Sequence, residues 1–298
     1  MEVPNWLRVV FLILSLLSFQ PQIARLYHRR DSAGISLYYV LFNLIIATEL
    51  FSISFFHIAN NRYGGTDSFV HDPPSFGDLL NLAQFTVVWM AWVIILALCI
   101  IYSHTTSNQP NPSLIISIYI SFLLISIIPL FTDALFADTT DPYHKWTLGF
   151  FSAVHMLFIN PGVFLLSFLA IGAQAKEILH RHHNNEGVGA LSLPGLAVQT
   201  LLFALLAVTW SGRLVFHWDN VPVESRINWS VFVFWFQSVG FVLFDYGVFA
   251  IGQGVLLSLA LRHQAVALTG GNTWPAIFFQ SDGEGHTVNA GERAPLLG

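Results

Sequence analysis

Seven stretches of roughly 20 or more predominantly apolar residues constrain this chain more than any other feature of its sequence. In hydrocarbon every backbone N–H and C=O needs a partner inside its own segment, so stretches of this length are expected to cross a bilayer as helices. They run from Trp6 to Leu26, Ser36 to Ile58, Leu79 to Tyr102, Leu114 to Phe136, Leu148 to Ile178, Leu191 to Phe216 and Trp229 to Leu261. The fifth and seventh exceed a bilayer's thickness and must tilt, kink or project. Asn160-Pro161 lies inside the fifth and marks a place to bend. Only 10% of the residues are charged, against about 25% in ordinary soluble proteins, and every polar segment is a short loop except the tail after Arg262. The fold class expected is therefore an all-α integral membrane protein with seven transmembrane helices.

The N-terminal Met1-Glu-Val-Pro-Asn lacks the basic region of a secretory signal, so the first helix is expected to remain. A net charge of −5 without any long basic run argues against nucleic acid as a partner. The single Cys99 permits no intrachain disulfide. Lysine and arginine in short loops set orientation. One side carries Arg25, Arg29, Arg30, Lys176, Arg181, Arg262 and Arg293, and the other Arg8, Arg62, Lys145, Arg213 and Arg226. The cluster of three arginines in the first loop places that loop and the C-terminus in the cytosol and the N-terminus in a lumen. Trp146, Trp218 and Trp229 sit where an interfacial belt is expected. The sequon at Asn228 abuts the seventh helix, too close to the membrane for glycosylation to be expected.

Ionisable groups inside a span are costly to bury and are functional candidates. Glu49 in the second helix and Asp245 in the seventh are the foremost, with an internal brace as the alternative reading of each. Asp133, near the end of the fourth, is expected to reach the headgroups. Ser238, Asp245 and Gly252 recur every seven residues and give the seventh helix one polar, small-residue stripe. Asn43 precedes Glu49 by six residues, about 120° around the helix, so both can border one cavity. His155 is a candidate proton relay because imidazole titrates near neutrality. Asn160 and Gln199 suit hydrogen bonding to a polar solute. The tract from His180 to His183 reads as a solvated basic loop, since no carboxylate or cysteine set completes a metal site. No cofactor motif and no catalytic constellation is present.

The residues from Ser18 to Asn43 read SFQPQIARLYHRRDSAGISLYYVLFN, with Pro21-Gln22 ending an apolar helix before a basic loop and Gly-Ile-Ser. Proline removes a backbone donor and crowds the carbonyl four residues earlier, near Leu17, so a local break is expected there, with the Gln22 amide supporting it. A weaker copy begins at Gly172. Gln174 matches Gln22, His180-Arg181 matches His28-Arg29, and Ser192-Leu193 matches Ser36-Leu37, while Ala173 replaces the proline. A parallel internal repeat is a recognised plan for carriers. Together these segments resemble the PQ-loop family, which includes cystinosin-like lysosomal or vacuolar transporters.

The resemblance implies two parallel three-helix repeats joined by a linker helix: residues 1–103, then linker 104–146, then a degenerate second repeat 147–262, then a disordered cytosolic tail 263–298. It also implies a transporter of a small polar solute, for example an amino acid, across a vacuolar or other endomembrane. Pro21, Gln22, Gln174 and Pro161 would form the hinges, and Asn43, Glu49, His155, Asn160, Gln199 and Asp245 the solute or proton pathway. Gln199 stands near the place where cystinosin-like second motifs carry a proton-coupling aspartate. Two rivals stay open: a membrane-embedded terpene-cyclase-like enzyme using Glu49 or Asp245 as acid, and a receptor or sensor without transport. The tail ends Glu292-Arg-Ala-Pro-Leu296-Leu297, resembling an acidic dileucine signal that a sorting adaptor would read.

Overall fold

The computed structural model describes residues 3–60, 68–103, 110–136, 144–184, 186–218 and 228–269. The tail signal at Glu292, Leu296 and Leu297 lies outside them, as do Arg62, Arg226 and Arg293 of the orientation argument. Ten α-helices build the described chain: α1 (Asn5–Arg29), α2 (Leu37–Phe55), α3 (Phe76–Ile101), α4 (Pro112–Ser126), α5 (Ile128–Phe136), α6 (His144–Val154), α7 (Asn160–His183), α8 (Leu193–Trp210), α9 (Trp229–Trp235) and α10 (Phe241–Thr269). Three short π-helical segments, Phe56–Asn60, His155–Ile159 and Phe236–Gly240, extend α2 and join α6 to α7 and α9 to α10. Together they make seven helical stretches long and apolar enough to cross a membrane.

Local chemistry fixes several starts. Ser75 and Asp78 close a reciprocal capping box on α3. Asn111 caps α4 ahead of Pro112, and Ser192 caps α8 ahead of Pro194. Before Pro161, the π segment His155–Ile159 adds the slack a proline demands, because Pro161 has no N–H to give and its ring would crowd the carbonyl of Leu157. Pro21 behaves differently from expectation, since α1 runs unbroken through it to Arg29. Two more boundaries differ. The histidines from His180 to His183 form the last turn of α7 rather than a loop. The final helix continues to Thr269 instead of ending at Arg262, because the Ala-Val-Ala-Leu run after Gln264 is helix-favouring and His263 is buried.

The packing is that of two three-helix repeats about a linker. In the first, α3 lies against both α1 and α2; in the second, α10 lies against both α7 and α8. The repeats meet reciprocally, α1 on α8 and α2 on α7, while α4 packs on α2 from outside. The second span is the hub: its most apolar window is 89% buried, against 22–44% for the others, as a helix hydrophobic all round should be. Trp146, Trp218 and Trp229 are exposed near helix ends, where an interfacial belt would place them.

Candidate functional site

The hub helix carries the central site. Glu49 on α2 is fully buried, and its Oε1 lies 2.7 Å from Nδ1 of His155, itself 2% exposed, in the π segment of the fifth span. Phe151 stacks on the imidazole at 4.0 Å between ring centres. Glu49 Oε2 and His155 Nε2 are buried without a hydrogen-bond partner. One buried pair therefore bridges the two repeats. Asp245 on α10 is 4% exposed, lies within electrostatic reach of Glu49, and leaves Oδ1 unpartnered.

Asp245 lines a cavity of about 30 Å³ between the repeats, together with Tyr39, Asn43, Ser167 and Gln253. That volume holds a water or two and no organic solute. Gln253 donates to the Tyr39 hydroxyl at 2.8 Å, and Asn43 donates to the Tyr39 carbonyl at 2.8 Å. Gln199 is elsewhere: it borders a separate space of about 20 Å³ near Gln22, and its amide reaches only to 3.5 Å from the Ser18 carbonyl. Asn160 is buried, with Nδ2 unpartnered.

At the other end of α1 the motif residues pair across the molecule. Gln22 donates to the Ala190 carbonyl at 3.0 Å and accepts from the Ser192 N–H at 2.8 Å. Gln174 donates to the Gly34 carbonyl at 2.8 Å and accepts from the Ser36 N–H at 2.9 Å. Each glutamine thus pins the loop that opens the second helix of the opposite repeat. Gln22 does not turn its amide on the Leu17 carbonyl, as a support of a broken helix would. Ala190 also donates to the Ala33 carbonyl, and Gly34 and Gly189 both have positive φ, 92° and 65°, where the two loops press backbone to backbone.

Asp133 does not reach out to headgroups: Asn60 donates to its Oδ2 at 2.7 Å, and His144 Nδ1 lies 3.3 Å from Oδ1. On this same face, beyond the end of α8, Arg213 is 1% exposed. Its Nε donates to Asn81 at 3.0 Å and one terminal nitrogen to Gln84 at 2.6 Å, and its plane sits 3.9 Å over the Trp210 ring. Burial brings this guanidinium down from the usual arginine range to about 9, with the Tyr246 hydroxyl opposing and the nearby Arg8 charge adding to the fall. It stays charged at neutral pH. Among the described residues no group of three or more His, Cys, Asp or Glu is placed to hold a metal ion.

Several of these residues carry a periodic signal in the sequence. Asn160, Ser167 and Gln174 recur every seven residues and line one face of α7. Asn81 and Gln84, three apart on α3, share a face. In the sequence Arg8 and Arg213 stand out only as topology charges, and Gln253, next to Gly252, falls beside the stripe through Asp245.

Comparison with known proteins identifies one segment. No curated protein and no solved structure matches the chain. Residues 3–59 match the family model described as PQ loop repeat, a segment that covers α1, the turn after it and nearly all of the second span. Those residues include Gln22 and the Gly34-Ile-Ser36 turn that the second half grips, so the segment similar to a PQ loop repeat is the one the rest of the chain clasps.

Proposed function

We propose that this protein is a PQ-loop-type transporter that moves a small polar solute, an amino acid being the first to try, across a vacuolar or other endomembrane, coupled to protons. The observation that carries the reading is the buried Glu49–His155 pair bridging α2 and the fifth span, with Asp245 beside it. An ionised carboxylate with a neutral imidazole has net charge −1; one added proton makes the pair neutral, whichever atom holds it. Such a change at the seam between rocking halves is what proton coupling needs. Asn43, Ser167 and Gln253 would meet the solute once the narrow cavity opens, and Asn160 and Gln199 would serve its path. Pro21 and the Pro161 region would be where helices flex, while Gln22 and Gln174 hold the halves together during rocking. The arginine-rich motif face would be cytosolic and the N-terminus lumenal, and Leu296-Leu297 would engage a sorting adaptor.

The test is flux in proteoliposomes of the full chain, with an internal pH dye and an imposed gradient. Glu49→Gln and Asp245→Asn keep size and hydrogen bonding but remove titration. Proton-driven uptake should fall to background in at least one of them while exchange at equal pH persists. Full proton-dependent flux in both would reduce these carboxylates to braces.

A further inference from the structure

The side of the molecule where α1 begins and α8 ends holds a second cavity, of about 260 Å³, far larger than the one between the repeats. Arg8, His71, Arg213, Trp210, Trp218 and Trp235 are among the residues that line it, with Leu214, Val239 and Leu243 supplying apolar wall. Organic ligands occupy spaces of a few hundred cubic ångströms, so this one admits a small molecule.

Within it, Arg213 stands without a matching carboxylate. Buried guanidinium groups are ordinarily matched to carboxylates. Among the described residues, none has a carboxylate within ion-pair distance of Arg213, whose bonded partners, Asn81 and Gln84, are neutral amides. Its remaining terminal nitrogen, Nη1, is buried without a partner. Asp78, an acid on the same face of α3, forms no ion pair with Arg213: its Oδ2 accepts from the Ser75 N–H and hydroxyl, both at 2.8 Å, and lies 2.9 Å from His71 Nδ1, while its Oδ1 is buried without a hydrogen-bond partner. Arg8 adds a second positive charge, donating at 3.4 Å to the Asn81 oxygen that Arg213 also uses. A planar fork with one arm free and indole walls form a place for an anionic oxygen group joined to an apolar body.

We propose that this cavity is a binding site for an organic anion, a carboxylate or phosphate carried on an apolar group, with Arg213 as its principal ligand. The site is separate from the Glu49–His155 pair and does not depend on proton coupling. The occupant is either a soluble carboxylate or the headgroup of an anionic lipid, since Trp218 and Trp235 place the cavity where headgroups lie.

The experiment uses the purified full chain in nanodiscs of phosphatidylcholine, with phenylacetate as probe and phenylacetamide as its uncharged counterpart. Intrinsic tryptophan fluorescence and thermal unfolding are the readouts. Phenylacetate should bind saturably, with phenylacetamide at least tenfold weaker. Arg213→Gln should weaken phenylacetate at least tenfold, with Arg213→Lys between the two. Should the glutamine variant fail to fold, Leu214→Trp fills the cavity and keeps the charge, and it too should abolish the response. Repeating the titration with phosphatidylglycerol in the nanodiscs separates the sources: loss of the response assigns the site to a lipid headgroup, and its persistence to a soluble anion. Equal responses to acid and amide, or an undiminished response in Leu214→Trp, would overturn the proposal.

Discussion

The two ends of this molecule solve the same problem in different ways. At the end carrying the motif, the repeats exchange equivalent bonds: Gln22 to Ala190 and Ser192, Gln174 to Gly34 and Ser36. At the other end, Arg8, Arg213, Asn81 and Gln84 form a cluster built from one helix start, one helix end and one face of α3, without a counterpart in the other half. The first arrangement joins side chains to backbone groups, with Arg25 adding a bond to the Gly189 carbonyl at 2.7 Å. The second buries charge and leaves polar atoms unpartnered. The equivalent bonds hold the two halves to each other, and the cluster without a counterpart is where charge is buried.

If the motif end is a structural clasp, substitutions there should cause the largest losses of stability and should come in matched pairs. Gly34→Val and Gly189→Val are the severest, because a side chain at positive φ costs about 1–3 kcal/mol and a Cβ at either position would strike backbone of the facing loop. Neither variant should be recovered folded in detergent, as judged by size-exclusion chromatography. Recovery of one at wild-type yield would show that the loops separate without cost.

Gln22→Ala and Gln174→Ala come next. Each strips partners from one backbone N–H and one C=O, and an orphaned buried group costs about 1–3 kcal/mol, so losses of roughly 2 kcal/mol or more are expected. The Gln174 variant should lose at least as much, since Gln174 is fully buried and Gln22 is half-buried. Melting measured side by side checks this; a large loss in one and none in the other would mean that the clasp has a single working arm.

Pro21 against Ala173 is a finer probe, because the two occupy equivalent places in helices that both run unbroken. Pro21→Ala restores a backbone donor and should stabilise by about 1 kcal/mol, less than the roughly 3 kcal/mol of an isolated helix because neighbouring groups in a membrane bundle re-satisfy the freed carbonyl. A gain in melting temperature with slower solute exchange would make Pro21 a flexing point. Loss of stability instead would mean that the helix depends on its proline.

How far these differences can be read from sequence follows from what each residue's neighbours require. Seven spans are legible because span length is set by the bilayer, and Gln22 and Gln174 are legible as a pair because their flanks repeat. What each glutamine holds is not, since the partners are backbone groups of the opposite half, well over a hundred residues away. Glu49 and His155 are individually conspicuous as polar residues in apolar helices. Their bond depends on α2 meeting the fifth span, which only the reciprocal docking of the repeats supplies. Arg213 is the hardest, because an arginine after a helix end normally reaches solvent, and only the cavity's surroundings reveal that this one is enclosed.

The smallest effect tests that enclosure directly. With its group held near 9 when folded and well above that when exposed, Arg213 binds its proton less tightly in the native protein. A depressed base costs stability at every pH below its folded value, and the cost is relieved as pH climbs past about 9, where the unfolded chain holds the extra proton. Between pH 8 and pH 10 the wild type should therefore gain about 1 kcal/mol relative to Arg213→Gln, which carries no such group. Taking the difference between the two proteins at each pH cancels every other titration they share, and differential melting in one detergent reads it out. Gln22 carries no titrating group, so Gln22→Ala should run parallel to wild type across the same range. A widening deficit of the wild type at high pH would mean that Arg213 is held charged by a partner when folded, which is the opposite of an enclosed and uncompensated cation.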